Sequence, residues 1–334
     1  MVIAVSEPRS DSRERAISTV MDVSLALLLI SASVVLIATS LNEESGATTP
    51  DAVAADQTAE TLAATTMSVE YSIEPVTSQD EWDDENVATD FADESFRRVS
   101  QGSASGLLAE AAVANVEVDG TRLTKEGQNF EPAVEAKVLN TFLGANQSVY
   151  VEAVWRPYPE SAIEGIASAG DRPPRDTSVN TAVLRVTSDV PSVGSGAVER
   201  GYRLNGFEGA AGPIAAAVVR GLYPPTEMQL LLERQGFHRA LGKYRYQRMA
   251  TAIEASDAAT DDFSFENAQG VYFGEATVIS RNGADARAAN AQLTDQLTQI
   301  IAADMDEKYD DDATADELGA DVATGEVEII VKTW

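Results

Sequence analysis

"RERAISTVMDVSLALLLISASVVLIATSL", residues 13–41, decides how the rest of the chain is read. From Val23 to Leu41 it carries no charge. As a helix that span would reach about 28 Å, close to the hydrocarbon thickness of a bilayer. An export signal is usually shorter and ends at a small-residue cleavage site, for which "ATS" at 38–40 is the candidate. A buried core helix is the third reading. Length favours the membrane, with a transmembrane helix over 20–41. Arg9, Arg13 and Arg15 precede it and Glu43 and Glu44 follow. Basic flanks stay on the cytoplasmic side, which places 1–19 inside the cell membrane and the C-terminal domain outside. Ser24, Ser31 and Ala38 form a small-residue stripe along one helix face, suited to packing against another membrane helix. Asp22 stands at the entry to the run, at headgroup depth, where a carboxylate costs little.

The remainder is acidic. The 334 residues hold 54 Asp and Glu against 24 Lys and Arg, a net charge of -30, yet 44% are hydrophobic. That apolar share predicts a folded domain or two rather than disorder. So negative a surface repels phosphate, so no nucleic-acid partner is expected. Carboxylates in excess with few lysines point to a protein adapted to concentrated salt, where the Debye length falls to about 3 Å. An acidic surface protein of ordinary salt is the other reading. With Cys 0 there is no disulfide and no thiolate metal site, and with His 1 no histidine cluster.

After 41 the pattern expects a polar spacer and stalk helix (42–66), capped by Asp51. "SVEYSIEP" (68–75) alternates as a strand, and an acidic loop follows with Trp82 as its anchor. Helices are expected over 103–116 and 131–144, the second with Pro132 in its first turn. A strand-turn at "VEVDGTRL" (116–123) lies between them, and strands follow at 148–155 and 181–186. The Pro- and Gly-rich 156–176 reads as a loop. "PSVGSG" (191–196) separates one part, 67–190, from a second, 197–334. The second holds helices at 209–223, 226–255 and 285–309 and strands at 270–280 and 325–334. The class is α+β (mixed α/β), an ectodomain behind a single N-terminal transmembrane helix.

"RAISTV" (15–20) resembles the start of haloarchaeal type IV pilin-like proteins. The resemblance implies leader cleavage between Ala16 and Ile17, a retained helix that docks in an assembly, and Asp22 as the assembly acid. Met21 takes the fifth mature position, where bacterial pilins keep their acid, and Asp22 the sixth. "FRRVSQGSASGLLAEAAVANVEVDGTRL" with "VYVEAVWRPYPESAIEG" looks like a family of uncharacterised haloarchaeal membrane-anchored proteins. These resemblances imply a non-enzymatic surface protein, a pilin-like or accessory component of a pilus-like or secretion-like assembly in a halophilic archaeon. Its partners would be the membrane and other proteins, itself included. A membrane-tethered binding module for an unknown small molecule and an anchored hydrolase are the alternatives.

Candidate chemistry is sparse. His238 is the one histidine, and "GSASG" (102–106) has Ala104 where a hydrolase would need its serine. Arg234, Arg239, Lys243, Arg245 and Arg248 run without an intervening acid, either docking an acidic partner or balancing charge internally. In "DMDEKYDDDATADE" (304–317) neither EF-hand register has its glycine, so a solvated acidic segment is expected and no metal. Asn146 heads an N-glycosylation triplet. No phosphate-binding or dinucleotide motif is present, and no cofactor is expected.

Overall fold

Pro50 and Asp51 open the first helix of the computed structural model, which describes residues 50–78, 82, 91–142, 148–254, 271–273, 276–280, 283–309 and 313–334. The described residues beyond Pro50 belong to one unit, Asp51–Trp334. Helix α1 (Pro50–Ala64) covers the segment expected as a stalk, and it buries Ala55, Ala59 and Leu62 in the main core. Strand β1 (Thr66–Ser72) pairs antiparallel with β2 (Arg97–Ser103) along its whole length. The connection between them carries Trp82, which is buried with Ile73, Val76 and Phe96 in a second, smaller core.

Ser103 caps α2 (Ala104–Ala114), its Oγ accepting from the Gly106 amide at 3.0 Å. A hairpin of β3 (Glu117–Val118) and β4 (Thr121–Arg122) then turns through Asp119 and Gly120 at φ 46° and 75°, the left-handed geometry an Asp-Gly pair supplies. Next come α3 (Phe130–Thr141), β5 (Val149–Trp155), β6 (Ile163–Ala169) and β7 (Asn180–Thr187). The second half is α4 (Ser195–Leu222), α5 (Pro225–Glu233), α6 (Phe237–Glu254), β8 (Val271–Phe273), β9 (Ala276–Ser280), β10 (Gly283–Ala284), α7 (Ala286–Lys308), α8 (Ala315–Asp321) and β11 (Glu326–Thr333).

The main sheet runs β4-β3-β6-β5-β11-β7, with every neighbouring pair antiparallel. Each strand alternates, so Val151, Ala153 and Trp155 of β5 and Val327, Ile329 and Val331 of β11 face the core, where they are fully buried. On the opposite face the same strands present Glu152 and Glu328. Helix α2 lies directly on β6. A Cβ at Gly165 would stand 2.2 Å from the Ala112 carbonyl oxygen, so only glycine admits this approach. Helix α4 breaks at Asn205 and Gly206 and folds back on itself: a Cβ at Gly201 would lie 1.9 Å from the Gly209 carbonyl oxygen. Helices α7 and α8 pack against this folded pair.

The chain's last strand, β11, is inserted between β5 and β7, so the segments 67–190 and 197–334 share one sheet. Residues 163–169, expected within a loop, form the strand β6 between β3 and β5. The helix expected over 226–255 is two, α5 and α6, parted at Gly236 with φ 68°.

The single-pass membrane reading is corrected. No helix among the described residues is long and apolar enough to cross a membrane. The longest, α4 and α7, carry charges along their length, Glu199, Arg203, Glu208 and Arg220 in one and Arg287, Asp295, Asp304 and Lys308 in the other. The run at 20–41 lies outside the described residues, so the structure supports neither the anchor nor the cytoplasmic tail and extracellular domain that depended on it.

Candidate functional site: an acidic cleft

Helix α2 has two faces. Ala104, Leu107, Leu108, Ala111 and Ala112 are buried in the core, whereas Gly106, Glu110 and Val113 recur at helical spacing toward a cleft of about 620 Å³. The other walls come from five separate places. Tyr71, Gln101 and Gly102 belong to the β1–β2 ribbon, and Val186 to Asp189 to the end of β7 and the turn after it. Leu222 and Tyr223 close the end of α4, and Leu123, Thr124, Glu126 and Phe130 with Arg245 of α6 complete the lining. Leu107, Val116, Leu123, Phe130 and Tyr223 are buried, while Gln101, Thr187 and Asp189 are exposed.

The lining includes an ion pair. Arg245 Nε donates to Glu126 Oε1 and Nη2 to Oε2, both at 2.7 Å, with side chains only 24% and 14% exposed. Thr124 and Tyr244 pin the turn that carries Glu126, whose amide donates to Thr124 Oγ1 at 3.1 Å while the Lys125 amide donates to Tyr244 Oη at 3.0 Å. Burial pushes the Glu126 carboxyl up, but the charge and hydrogen bonds of Arg245, helped by Arg98 and Thr124, outweigh it and hold the group below the usual glutamate range. Burial also works against the charged form of Arg245, and the adjacent Glu126 carboxylate more than offsets this. The pair is ionised and internally neutral.

Two phenols sit nearby. The Tyr71 ring packs on Phe130 with centroids 4.5 Å apart, and burial, reinforced by Glu110 and Glu126, pushes its hydroxyl up to about 12. Burial raises the Tyr223 hydroxyl further, and it donates to the Arg245 carbonyl at 3.2 Å. Both stay protonated at neutral pH.

Two carboxylates remain. Glu110 accepts from Ser100 Oγ at 2.5 Å through Oε2. Burial raises its carboxyl above the ordinary range, the Ser100 hydrogen bond takes back part of that rise, and the charge of Asp189 adds a smaller increase. Neither Glu110 nor Asp189 has an ion-pair partner among the described residues. Among those residues, too, no three His, Cys, Asp or Glu side chains converge to hold a metal.

The sequence-predicted residues fall elsewhere, with one exception. Arg245 lines the cleft, but it is turned inward onto Glu126. Arg248 Nε donates to the Arg122 carbonyl at 3.0 Å and Arg239 Nη1 to the Leu232 carbonyl at 2.8 Å. Lys243 is half-buried and Arg234 exposed at the end of α5. His238 is exposed in the first turn of α6, its ring beside Phe237. The acidic run is structural where described. Asp304 accepts from Tyr158 Oη at 2.6 Å and the Ala162 amide at 3.1 Å, and Thr314 with Glu317 forms a capping box on α8. Ala16, Ile17, Asp22, Ser24, Ser31, Ala38 and Asn146 lie outside the described residues.

Sequence reasoning passed over Glu110, Glu126, Asp189, Tyr71 and Tyr223. One signal was available: Glu110 is the sole charge in "ASGLLAEAAVA", a helix otherwise fit for complete burial. Its partners come from distant parts of the chain and carry no shared spacing.

The family model described as "Family of unknown function (DUF7284)" matches residues 21–334. The chain belongs to this family. No curated protein and no solved structure matches this DUF7284 member. The family description names no activity, source or assembly, which corrects the resemblance to haloarchaeal, pilin-like, membrane-anchored proteins. The match begins at Met21, beyond the "RAISTV" on which the pilin likeness rested. A role as a surface or pilus-like component falls with it, because no membrane-crossing helix is found among the described residues to carry that role.

Proposed function

We propose that this chain binds a small organic molecule in the cleft between α2, the β1–β2 ribbon and the end of β7. The observation that carries the reading is the cleft itself. Its volume of about 620 Å³ falls inside the roughly 300–1,000 Å³ of small-ligand sites, and its lining divides about evenly between apolar and polar surface, setting Leu107, Val113 and Phe130 beside Glu110 and Asp189. Binding without catalysis suits the groups present. Both phenols hold their protons, the guanidinium of Arg245 is committed to Glu126, and His238 lies exposed on α6.

Nile red, a neutral apolar dye, is the probe. Its fluorescence should rise saturably with the full chain. The rise should vanish in Val113→Trp, which fills the cleft from a half-buried position on α2, while circular dichroism and melting stay as in the parent. A linear, non-saturating rise, or the same saturable rise in Val113→Trp, would overturn the reading.

A further inference from the structure

Resting on the reading of the cleft as a binding site, we propose that its ligand is an organic cation: an ammonium group seated between Glu110 and Asp189, with an apolar body lying along Leu107, Val113 and Phe130. The charges lining the cleft are Glu110, Glu126, Asp189 and Arg245. Arg245 spends Nε and Nη2 on both oxygens of Glu126, so that pair presents no net charge to a ligand. The balance left is two carboxylates without a counter-ion among the described residues.

Three ligand classes meet this differently. A carboxylate or phosphate would bring further negative charge beside Glu110 and Asp189, and would find Arg245 already neutralised. A bare metal ion needs several oxygen or nitrogen ligands, and no triad of such side chains exists among the described residues. An ammonium needs only one or two acceptors, and the apolar body it carries can lie along Phe130, whose ring packs on Tyr71. The acceptor is at hand. Ser100 occupies Oε2 of Glu110, and Oε1 takes no hydrogen bond from the described residues. Burial, with a smaller contribution from the charge of Asp189, holds Glu110 above its ordinary range, and a cation between the two would favour its ionised form.

Displacement of Nile red by octylammonium, octan-1-ol and octanoate at pH 7.5 tests this, since the three share one apolar chain. Octylammonium should displace the dye at tenfold or more lower concentration than octanol, with octanoate weakest. In Glu110→Gln/Asp189→Asn the ammonium-to-octanol ratio should fall to within threefold. If that double variant fails to fold, Asp189→Asn alone, at an exposed position, should still reduce the ratio. Octanol or octanoate equal to octylammonium would overturn the cation and leave the binding cleft standing. No displacement by any of the three would overturn the binding reading, and the cation with it.

Discussion

Replacing Glu126 by glutamine should show how much of the fold hangs on one buried pair. The change keeps shape and removes the negative charge that Arg245 meets through two 2.7 Å hydrogen bonds. An exposed pair is worth about 0.2–1 kcal/mol, and removing one partner of a fully buried pair costs about 3–5 kcal/mol. With side chains 14% and 24% exposed the pair lies nearer the buried limit, so a loss of about 2–3 kcal/mol is expected. Arg245→Met should cost a similar amount, because it strands the carboxylate instead. The double variant should cost less than the two singles added, by about 2 kcal/mol of coupling. Urea unfolding of the full chain, followed by fluorescence of Trp82 and Trp155, reads all four species. The sign with pH follows from Glu126 sitting below the usual range. Its stabilisation is complete above the unfolded-state carboxyl pKa and is lost as pH falls through the lowered folded-state value. The gap between parent and Glu126→Gln should therefore close in acid. A single-variant loss under about 0.5 kcal/mol, or simple additivity in the double variant, would refute the claim that this pair is desolvated and coupled.

Glu110 should behave in the opposite sense. Its carboxyl is raised, so its charging destabilises the fold as pH rises from the unfolded-state value through the folded one; carbon-detected NMR should give a midpoint above the ordinary glutamate range that drops in Asp189→Asn. Gly165→Ala should cost about 3 kcal/mol or more in urea unfolding, because the new methyl would stand 2.2 Å from the Ala112 carbonyl oxygen and lift α2 off β6. Thr324→Val should cost about 1–3 kcal/mol. The threonine is fully buried, donates to the Pro191 carbonyl at 2.7 Å and accepts from the Val193 amide at 3.1 Å, and valine leaves both unpaired without changing shape.

Local signals carried most of the elements. The period-two alternation of 148–155, 181–186 and 325–334 is that of β5, β7 and β11. The Asp-Gly pair at 119–120 marks the β3–β4 hairpin, and Asp51 and Ser103 stand where α1 and α2 begin. Strand β6 was hidden because its inward positions are Ile163, Gly165, Ala167 and Ala169. Residues that small are what a helix pressed onto the sheet demands, and they mute the alternation that identifies a strand. The break at Gly236 was likewise hidden inside a run whose apolar spacing continues on both sides.

What the sequence determined by itself is therefore short-range: alternation, caps, turns, the acidic balance and the absence of thiols, each set by a residue and its neighbours along the chain. Only the tertiary structure decided that β11 enters the sheet between β5 and β7. It also decided that Arg245, in a basic run of α6, spends its charge on Glu126 119 residues away. The candidate site is of this second kind. Tyr71, Glu110, Asp189 and Tyr223 meet because four elements converge on one cleft, and a burial energy summed over the whole fold leaves no trace in the spacing of the residues it brings together.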